Sequence, residues 1–388
     1  MSRFCSEINE KTDIEMLQRE SRDIFQTVAT LCRILFALTF IFSGFVKVVD
    51  PWGTAIKISE YLNAFGFESL KYARFGFSIW LCGAELMMGL MLLFRVRTPL
   101  ISIFAVLAML FFTTVTFITA MWLPVEDCGC FGDAVKLSNW ETLAKNLVLL
   151  PMSIVIWWSV RKEKIFTVAR WELVMTGLIM CVAFGLGIYC YRHLPLVDFL
   201  PYKAGTSLRE AVSTDFEMEE GKTVLVYRNL QTGEEREFSL EDTEWQDESK
   251  WEWVDTRTEA VESDPVSDAL LAEFSLHDAE GDATDDVLGY EGKTYMICVG
   301  DFADVKPAWE SRLEALVNRA TAEGARVVCL TPESLREVTY HRFGESEEVR
   351  CYNIDATTLM TMLRAKVGVV VLDDGVIMDK RNVRDIDK

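Results

Sequence analysis

Positive charge is scarce where most of the negative charge sits. Of 388 residues, 39 are Lys or Arg and 59 are Asp or Glu, a formal net charge of −20. Residues 203–388 hold 21 basic and 42 acidic side chains, whereas residues 1–202 are nearly balanced at 18 and 17. No basic surface is present to neutralise phosphates, which argues against nucleic acid as a partner. The uneven split excludes one uniform globular domain. A spaced set of Cys, His and acidic ligands is also missing, so no metal site is expected. Low complexity and disorder do not fit either, because 11 Trp, 24 Phe and 10 Tyr supply the material of a packed interior.

What the first half does have is long apolar runs. Crossing the hydrocarbon core takes about 20 mostly apolar residues in a helix. Five stretches qualify: Val28–Val49, Phe75–Phe94, Pro99–Leu123, Leu143–Val160 and Trp171–Tyr191. The third carries no charge at all. Lys and Arg in the short loops set the expected orientation. The N-terminal tail (Arg3, Lys11, Arg19, Arg22), the loop with Arg95 and Arg97, and the loop with Arg161, Lys162, Lys164 and Arg170 fall on one side. That side is expected to be cytoplasmic. Five spans then put the C-terminal domain in the extracytoplasmic (periplasmic) space. The polar N-terminus does not resemble a cleaved signal peptide, so the first span is expected to act as an uncleaved anchor.

Charges inside spans are costly and often functional. Lys47 and Asp50 lie three apart near the end of the first span and would share a helix face. They read either as a snorkelling lysine with a local ion pair or as part of a polar site. Glu85 lies in the middle of the second span beside Gly83, Ala84 and Gly89, small residues that allow close helix packing. It is either a hydrogen-bonded packing residue or a member of such a site. Pro151 within the fourth span would free a carbonyl and favours a kink.

Ten cysteines are present. Cys82 and Cys181, in apolar runs, read as small buried hydrophobes. Cys128 and Cys130 differ: they flank Gly129 in the polar stretch Glu126–Asp133. On the extracytoplasmic side such thiols meet an oxidising compartment. Cysteines two apart can join only in a tight, strained ring, which is prone to exchange, and Gly129 would permit the backbone angles it needs. The pair therefore reads as a redox pair, with structural disulfides or metal ligation as competing readings. The adjacent Asp127 and Asp133 weigh against a strongly nucleophilic thiolate. Cys190, at the end of the fifth span, is a candidate third partner.

The run Ser43-Gly44-Phe45-Val46-Lys47-Val48-Val49-Asp50-Pro51-Trp52-Gly53, with Lys57 and Glu60-Tyr61, resembles the opening signature of the DoxX/MauE membrane family. Ala84-Glu85-Leu86-Met87-Met88-Gly89 resembles that family's second helix, and Cys128-Gly129-Cys130-Phe131-Gly132 resembles the Cys-x-Cys-Phe-Gly loop of its MauE branch. The resemblance covers about residues 28–160. It implies a four-helix redox-associated unit, similar in layout to quinone-linked thiol oxidases of the DsbB and vitamin K epoxide reductase type. It names a quinone as the cofactor to expect. A fifth span and a fused outer domain depart from the minimal family unit.

In the second half, Lys222–Arg228 and Arg236–Leu240 flank a Thr232-Gly233 turn and read as a hairpin. Trp251 and Trp253 suggest another strand, and the acidic stretch Glu259–Asp268 an exposed connector. Phe274–Leu276 is strand-like. Thr294–Val299, Arg326–Leu330, Val367–Leu372 and Val376–Met378 read as strands, Pro307–Ala322 and Thr357–Arg364 as helices. Strands alternating with helices suggest an α/β sheet. The order resembles the thioredoxin-like fold of peroxiredoxin and TlpA-type proteins. That resemblance implies a Cys-x-x-Cys at the start of the first central helix, where this chain has Asp301-Phe302-Ala303-Asp304-Val305-Lys306-Pro307. Val367 stands where the family has its cis-proline. Cys298 and Cys329 fall in buried strands and read as core.

The expected fold is an all-α membrane bundle of five spans followed by an α/β thioredoxin-like domain. The expected domains are a cytoplasmic tail (1–27), the DoxX/MauE-like membrane domain (28–192), a linker with a small β-rich segment (193–268) and a thioredoxin-like domain lacking Cys-x-x-Cys (269–388). The expected function is thiol–disulfide redox or protein maturation through Cys128 and Cys130. Lys47, Asp50 and Glu85 would shape a cofactor pocket or carry protons. The expected partners are the lipid bilayer and an extracytoplasmic thiol protein. The rival reading is a non-enzymatic assembly factor whose outer domain binds a partner. A small-solute transporter has little support, since no inverted repeat is visible.

Overall fold

A computed structural model describes residues 2–122, 129–165, 169–213, 223–229, 235–239, 250–258, 271, 274–334 and 339–387. The chain divides into two compact units, Met1–Phe199 and Leu200–Lys388.

The first unit is helical. Helix α1 (Ser2–Val49) runs unbroken for 48 residues. Pro51 cannot continue it, because it lacks an N–H and restricts the residue before it. Asp50 leaves the helix (φ −120°, ψ 76°) and becomes the N-cap of α2 (Pro51–Ala64), its carboxylate accepting from the Gly53 N–H. After a 3₁₀ segment (Glu68–Ala73) come α3 (Arg74–Leu93), α4 (Thr98–Trp122), α5 (Asn139–Val160) and α6 (Arg170–Arg192). Ser138 and Glu141 close a capping box at the start of α5, and Pro151 sits inside that helix.

Among the described residues, five helices are long and apolar enough to cross a membrane: Arg19–Val49 of α1, and α3 to α6. Their inward faces pack together through Phe36, Phe40, Met91, Ile101, Met109, Leu149, Ile156 and Ile179. Their outward faces leave Leu31, Leu35, Leu38, Phe104, Leu107, Phe111, Leu147, Leu173 and Val174 exposed. Water would not tolerate so much exposed apolar surface; lipid does. This unit is an integral membrane unit in a bilayer environment. Cys181, expected to be buried, lies on that outer face, since it falls on the turn of α6 that points away from the core.

Helices α1 and α3 approach through glycine. A Cβ at Gly89 would stand 2.7 Å from the Ile41 amide nitrogen, and one at Gly44 would meet the Leu86 backbone. Any side chain there would push the two backbones apart. Arg33 ties the far end of the pair, donating to the carbonyls of Leu92 and Leu93. This crossing sets the height of every polar side chain between the two helices.

The second unit holds a short helix α7 (Leu208–Ser213) and two sheets. Strands β1 (Thr223–Asn229), β2 (Glu235–Ser239) and β3 (Trp251–Thr258) form an antiparallel sheet of order β2-β1-β3. The Thr232-Gly233 turn and the acidic stretch Glu259–Asp268 lie outside the described residues. The larger sheet has the order β6-β7-β5-β4-β8-β9. Its strands are β4 (Lys293–Val299), β5 (Arg326–Thr331), β6 (Tyr340–Arg342), β7 (Glu348–Asn353), β8 (Val367–Asp373) and β9 (Val376–Asn382). Helix α8 (Thr284–Leu288) precedes β4, α9 (Pro307–Ala322) joins β4 to β5, and α10 (Ala356–Leu363) precedes β8.

Strands β4, β5 and β7 are parallel neighbours, and β8 and β9 add antiparallel. A parallel pair needs a crossover helix, which α9 supplies. Leu313, Leu316 and Val317 of α9 pack on Ile297, Val299, Cys329, Cys351, Val367 and Val369. The alternate residues Met296, Cys298, Leu330, Val370 and Leu372 are buried as well, so both faces are covered. Phe274–Leu276 forms no ladder strand: Phe274 and Leu276 are buried, and the next residue, His277, makes isolated bridges to Asp282 and Asn353.

Candidate functional site

The candidate site lies within the membrane unit, where α1 and α3 cross. Ser43 and Lys47 sit one turn apart on α1, so both side chains point the same way. Opposite them on α3 stands Glu85. The Lys47 ammonium donates to Glu85 Oε1 at 3.0 Å and to Oε2 at 2.8 Å. Lys47 is 7% exposed and Glu85 4%. A lone charge at that depth would be very costly, so each requires the other. The local Lys47–Asp50 pair is therefore corrected. Pro51 takes Asp50 out of the helix to cap α2, and the partner of Lys47 comes from 38 residues away.

Ser43 extends the pair toward the cysteine loop. Its Oγ lies 3.0 Å from Glu85 Oε2 and 2.6 Å from the carbonyl oxygen of Cys130. The loop is folded tightly onto the bundle. Gly129 (φ 61°) and Gly132 (φ 55°) both take the left-handed conformation that glycine tolerates. The Gly132 N–H donates to the Gly129 carbonyl at 3.1 Å. Phe131 packs on Phe42 of α1, and Lys145 of α5 places its ammonium 4.4 Å above the same ring. Cys130 is partly exposed. Cys128 lies outside the described residues, so the geometry of the pair does too.

A cavity of about 310 Å³ opens beside the pair. Its apolar wall is Tyr61, Leu62 and Phe65 of α2, Phe77 and Leu81 of α3, and Phe111, Phe112 and Val115 of α4. Its polar groups are Lys47, Thr54, Lys57, Glu85, Thr116 and Cys130. A smaller cavity of about 40 Å³ lies against the same ion pair, lined among others by Ser43, Lys47, Glu85, Cys130, Lys145 and Asn146. Asn146, 3% exposed, donates to the Thr116 hydroxyl at 3.1 Å and so joins α5 to α4 at this level.

The structure thus brings together three of the residues singled out in the sequence: Lys47, Glu85 and Cys130. It puts Asp50 at a helix cap instead. Sequence reasoning missed Ser43, Lys57, Asn146 and Thr116. Ser43 could have been found, since it precedes Lys47 by one helical turn in the same motif. Asn146 and Thr116 carry no such signal, because lone polar residues in apolar helices commonly satisfy themselves locally. Cys190 is fully buried but does not line either cavity.

The second unit offers no comparable thiol among the described residues. At the start of the first crossover, Asp301 accepts from the Ala303 N–H at 2.7 Å and Asp304 pairs with Lys366 at 2.8 Å. Cys298, Cys329 and Cys351 are no more than 1% exposed. Cys329 and Cys351 face each other in parallel register. Burial pushes the Cys298 thiol far up; a hydrogen bond with Cys351, then burial, push Cys329 up as well. Held neutral in the interior, Cys298 and Cys329 are inert.

Comparison with known proteins agrees with the division into units. Residues 221–263 match a family model described as a domain of unknown function (DUF8463). No curated protein and no solved structure matches the chain significantly. Residues 25–159 match the family model of the methylamine utilisation protein MauE. Over those residues, which hold the buried Lys47–Glu85 pair and apolar helices able to cross a membrane, the chain is similar to that family.

Proposed function

We propose that the membrane unit performs thiol–disulfide exchange through Cys128 and Cys130, with a membrane quinone as electron partner. The observation that carries the reading is the shared cavity. Cys130, Lys47 and Glu85 line one aromatic-walled space of about 310 Å³. That volume sits at the lower end of small-molecule sites, roughly 300–1,000 Å³. Flat aromatic walls with a few donors at one end suit a ring that carries polar oxygens. The fit rests on Tyr61, Phe65, Phe77, Phe111 and Phe112 for the ring and on Lys47, Lys57 and Thr54 for its oxygens.

The residues divide the work. Cys130 faces the cavity, and Cys128, two residues away in a polar stretch, meets the protein thiol. Closing the Cys128–Cys130 disulfide releases two electrons and two protons, and a bound quinone supplies an acceptor for both. Lys47 favours negative charge nearby, including a thiolate at Cys130. Glu85 is the buried base that can hold a proton. Asp50 acts at one remove, capping the helix that brings Thr54, Lys57 and Tyr61 to the cavity. Loop charge favours a cytoplasmic N-terminus, with residues 200–388 outside the cytoplasm.

In this reading the second unit is a silent thioredoxin-like module. The parallel crossover β4–α9–β5, with β8 and β9 antiparallel on the other side of β4, supports that assignment. Its interior thiols and cysteine-free first crossover favour a second reading, a maturation factor that binds a partner without exchanging thiols. One experiment separates the two. Purified full-length protein is given a reduced thiol substrate and a soluble quinone. The redox reading expects Cys130→Ser and Cys128→Ser each to bring quinone reduction down to background. Unchanged reduction in either variant would sink it and leave the maturation factor.

A further inference from the structure

The cavity beside the Lys47–Glu85 pair has one side that faces lipid. Phe77, Leu81 and Glu85 follow one another at four-residue spacing, so they lie along one face of α3, and all three line the cavity. Burial rises along that stripe, from an exposed Phe77 through a partly buried Leu81 to the buried Glu85. Helix α4 repeats the gradient: Phe111 is exposed, Phe112 and Val115 are partly buried, and Thr116 is buried. Phe77 and Phe111 are 50% and 60% exposed, on the faces that the bundle turns toward hydrocarbon. Phe65, the C-cap of α2, completes this outer rim. Helices α3 and α4 pack near the loop that joins them, where Met91, Leu92, Val96, Ile101 and Ala105 share one core. Farther from that loop the cavity lies between them.

We propose that the ligand of this cavity is a long-tailed membrane amphiphile that enters sideways from the bilayer between α3 and α4. Its oxygen-bearing ring lies in the cavity and its tail stays among the lipid. A rim of phenylalanine rings set in hydrocarbon is a poor door for a water-soluble molecule, which would shed its hydration and gain no partner there. An apolar chain passes at no such cost. Size points the same way. About 310 Å³ is near the lower end of small-molecule sites, so a ring and its oxygens fill the space and a long chain has to leave through the rim. The polar groups stand at the other end of the gradient, where Lys47, Glu85 and Thr116 are buried. An amphiphile arriving from lipid therefore meets apolar rings first and donors last, in the order that its own head and tail require. The protein thiol would use a different door, the polar stretch that carries Cys128.

The inference rests on the proposed function for the ring and goes beyond it in the tail and the way in. Its test is photolabelling of the full-length protein in phosphatidylcholine vesicles. The probe is a decyl-tailed benzoquinone whose tail ends in a diazirine, and peptide mass places the adducts. Label is expected at the rim on α3 and α4, about tenfold above the outward face of α6 at Leu173 and Val174, and an excess of unlabelled decyl benzoquinone should remove the difference. Leu81→Trp plugs the neck between rim and ion pair and should cut the competed label about tenfold. If that variant does not fold, Val115→Phe narrows the same neck from α4 and should act in the same direction. Label spread evenly over every lipid-facing helix overturns the proposal. So does competed label confined to the loop around Cys130. A phosphatidylcholine with the same diazirine tail that labels the rim as strongly also overturns it, because the rim would then hold any lipid. Labelling needs no thiol, so this result and the quinone assay can fail independently. Quinone reduction without rim label would mean an acceptor that arrives from water.

Discussion

The two units treat the same chemical groups in opposite ways. In the membrane unit a thiol lies on a loop beside an ion pair and a cavity, and the ion pair is buried. In the second unit three thiols lie inside a sheet, and each described ion pair has at least one partly or largely exposed side chain. Arg326 with Asp286, whose carboxylate side chain is 58% exposed, is typical of the latter. A water-soluble fold can leave charge outside and bury sulfur, because water solvates charge at no packing cost. A bundle surrounded by hydrocarbon has no such outlet. Its charges must pair inside, and the space around them becomes a natural place for chemistry.

Three measurements would break or sharpen this contrast. The largest expected effect is in thiol accessibility. Cys130 should alkylate in the native protein, whereas Cys298, Cys329 and Cys351 should wait for local opening, slower by about a thousandfold or more. Equal rates, followed by peptide mass, would erase the distinction. Next comes the cost of breaking each pair. Lys47→Ala strands a buried carboxylate and should destabilise the membrane unit by about 3–5 kcal/mol, whereas Arg326→Ala should cost about 1 kcal/mol or less. Thermal unfolding of the two full-length variants in detergent checks this. Lys47→Met with Glu85→Leu should recover much of the loss, since the pair is then replaced rather than broken.

The smallest effect is in pH. The hydrogen bond from Arg326 holds the Asp286 carboxyl below its ordinary range. A lowered folded-state value means that the unfolded chain binds the proton more readily. The stabilisation is therefore complete above the ordinary carboxylate range and is lost as pH falls through the lowered value. Asp286→Asn should flatten the acid limb of the stability curve for the second unit by lowering stability at neutral pH and above, and leave it nearly unchanged at low pH, where the parent carboxyl is already protonated. An acid limb identical to that of the parent would remove Asp286 from the account.

Much of the architecture was legible in the sequence, for reasons that differ by element. The five spans were readable because lipid leaves a helix no alternative to a long apolar run. Strands β4, β5 and β8 were readable as continuous apolar runs buried on both faces. Strands β6 and β7 were not: Tyr340–Arg342 is three residues at the edge of the sheet, and Glu348–Asn353 interleaves Glu348, Arg350 and Asn353 with its buried Val349, Cys351 and Tyr352. The site was half legible. Charge in a span marked Lys47 and Glu85 one at a time, but helix periodicity offered Asp50 as the nearer partner. Pro51 was the signal against it, since a residue before proline rarely stays helical. Pairing across 38 residues needed the α1–α3 crossing, and that depends on Gly44 and Gly89 meeting backbone.

That crossing has a consequence for how the gene can change. An α-helix turns about 100° per residue. One residue inserted between Gly44 and Lys47 would keep the crossing but swing the ammonium toward lipid, away from Glu85. Substitutions on the lipid-facing sides of both helices leave this alignment untouched. The segment from Gly44 to Lys47 is therefore open to exchange of letters on its outer face and closed to any change in their number.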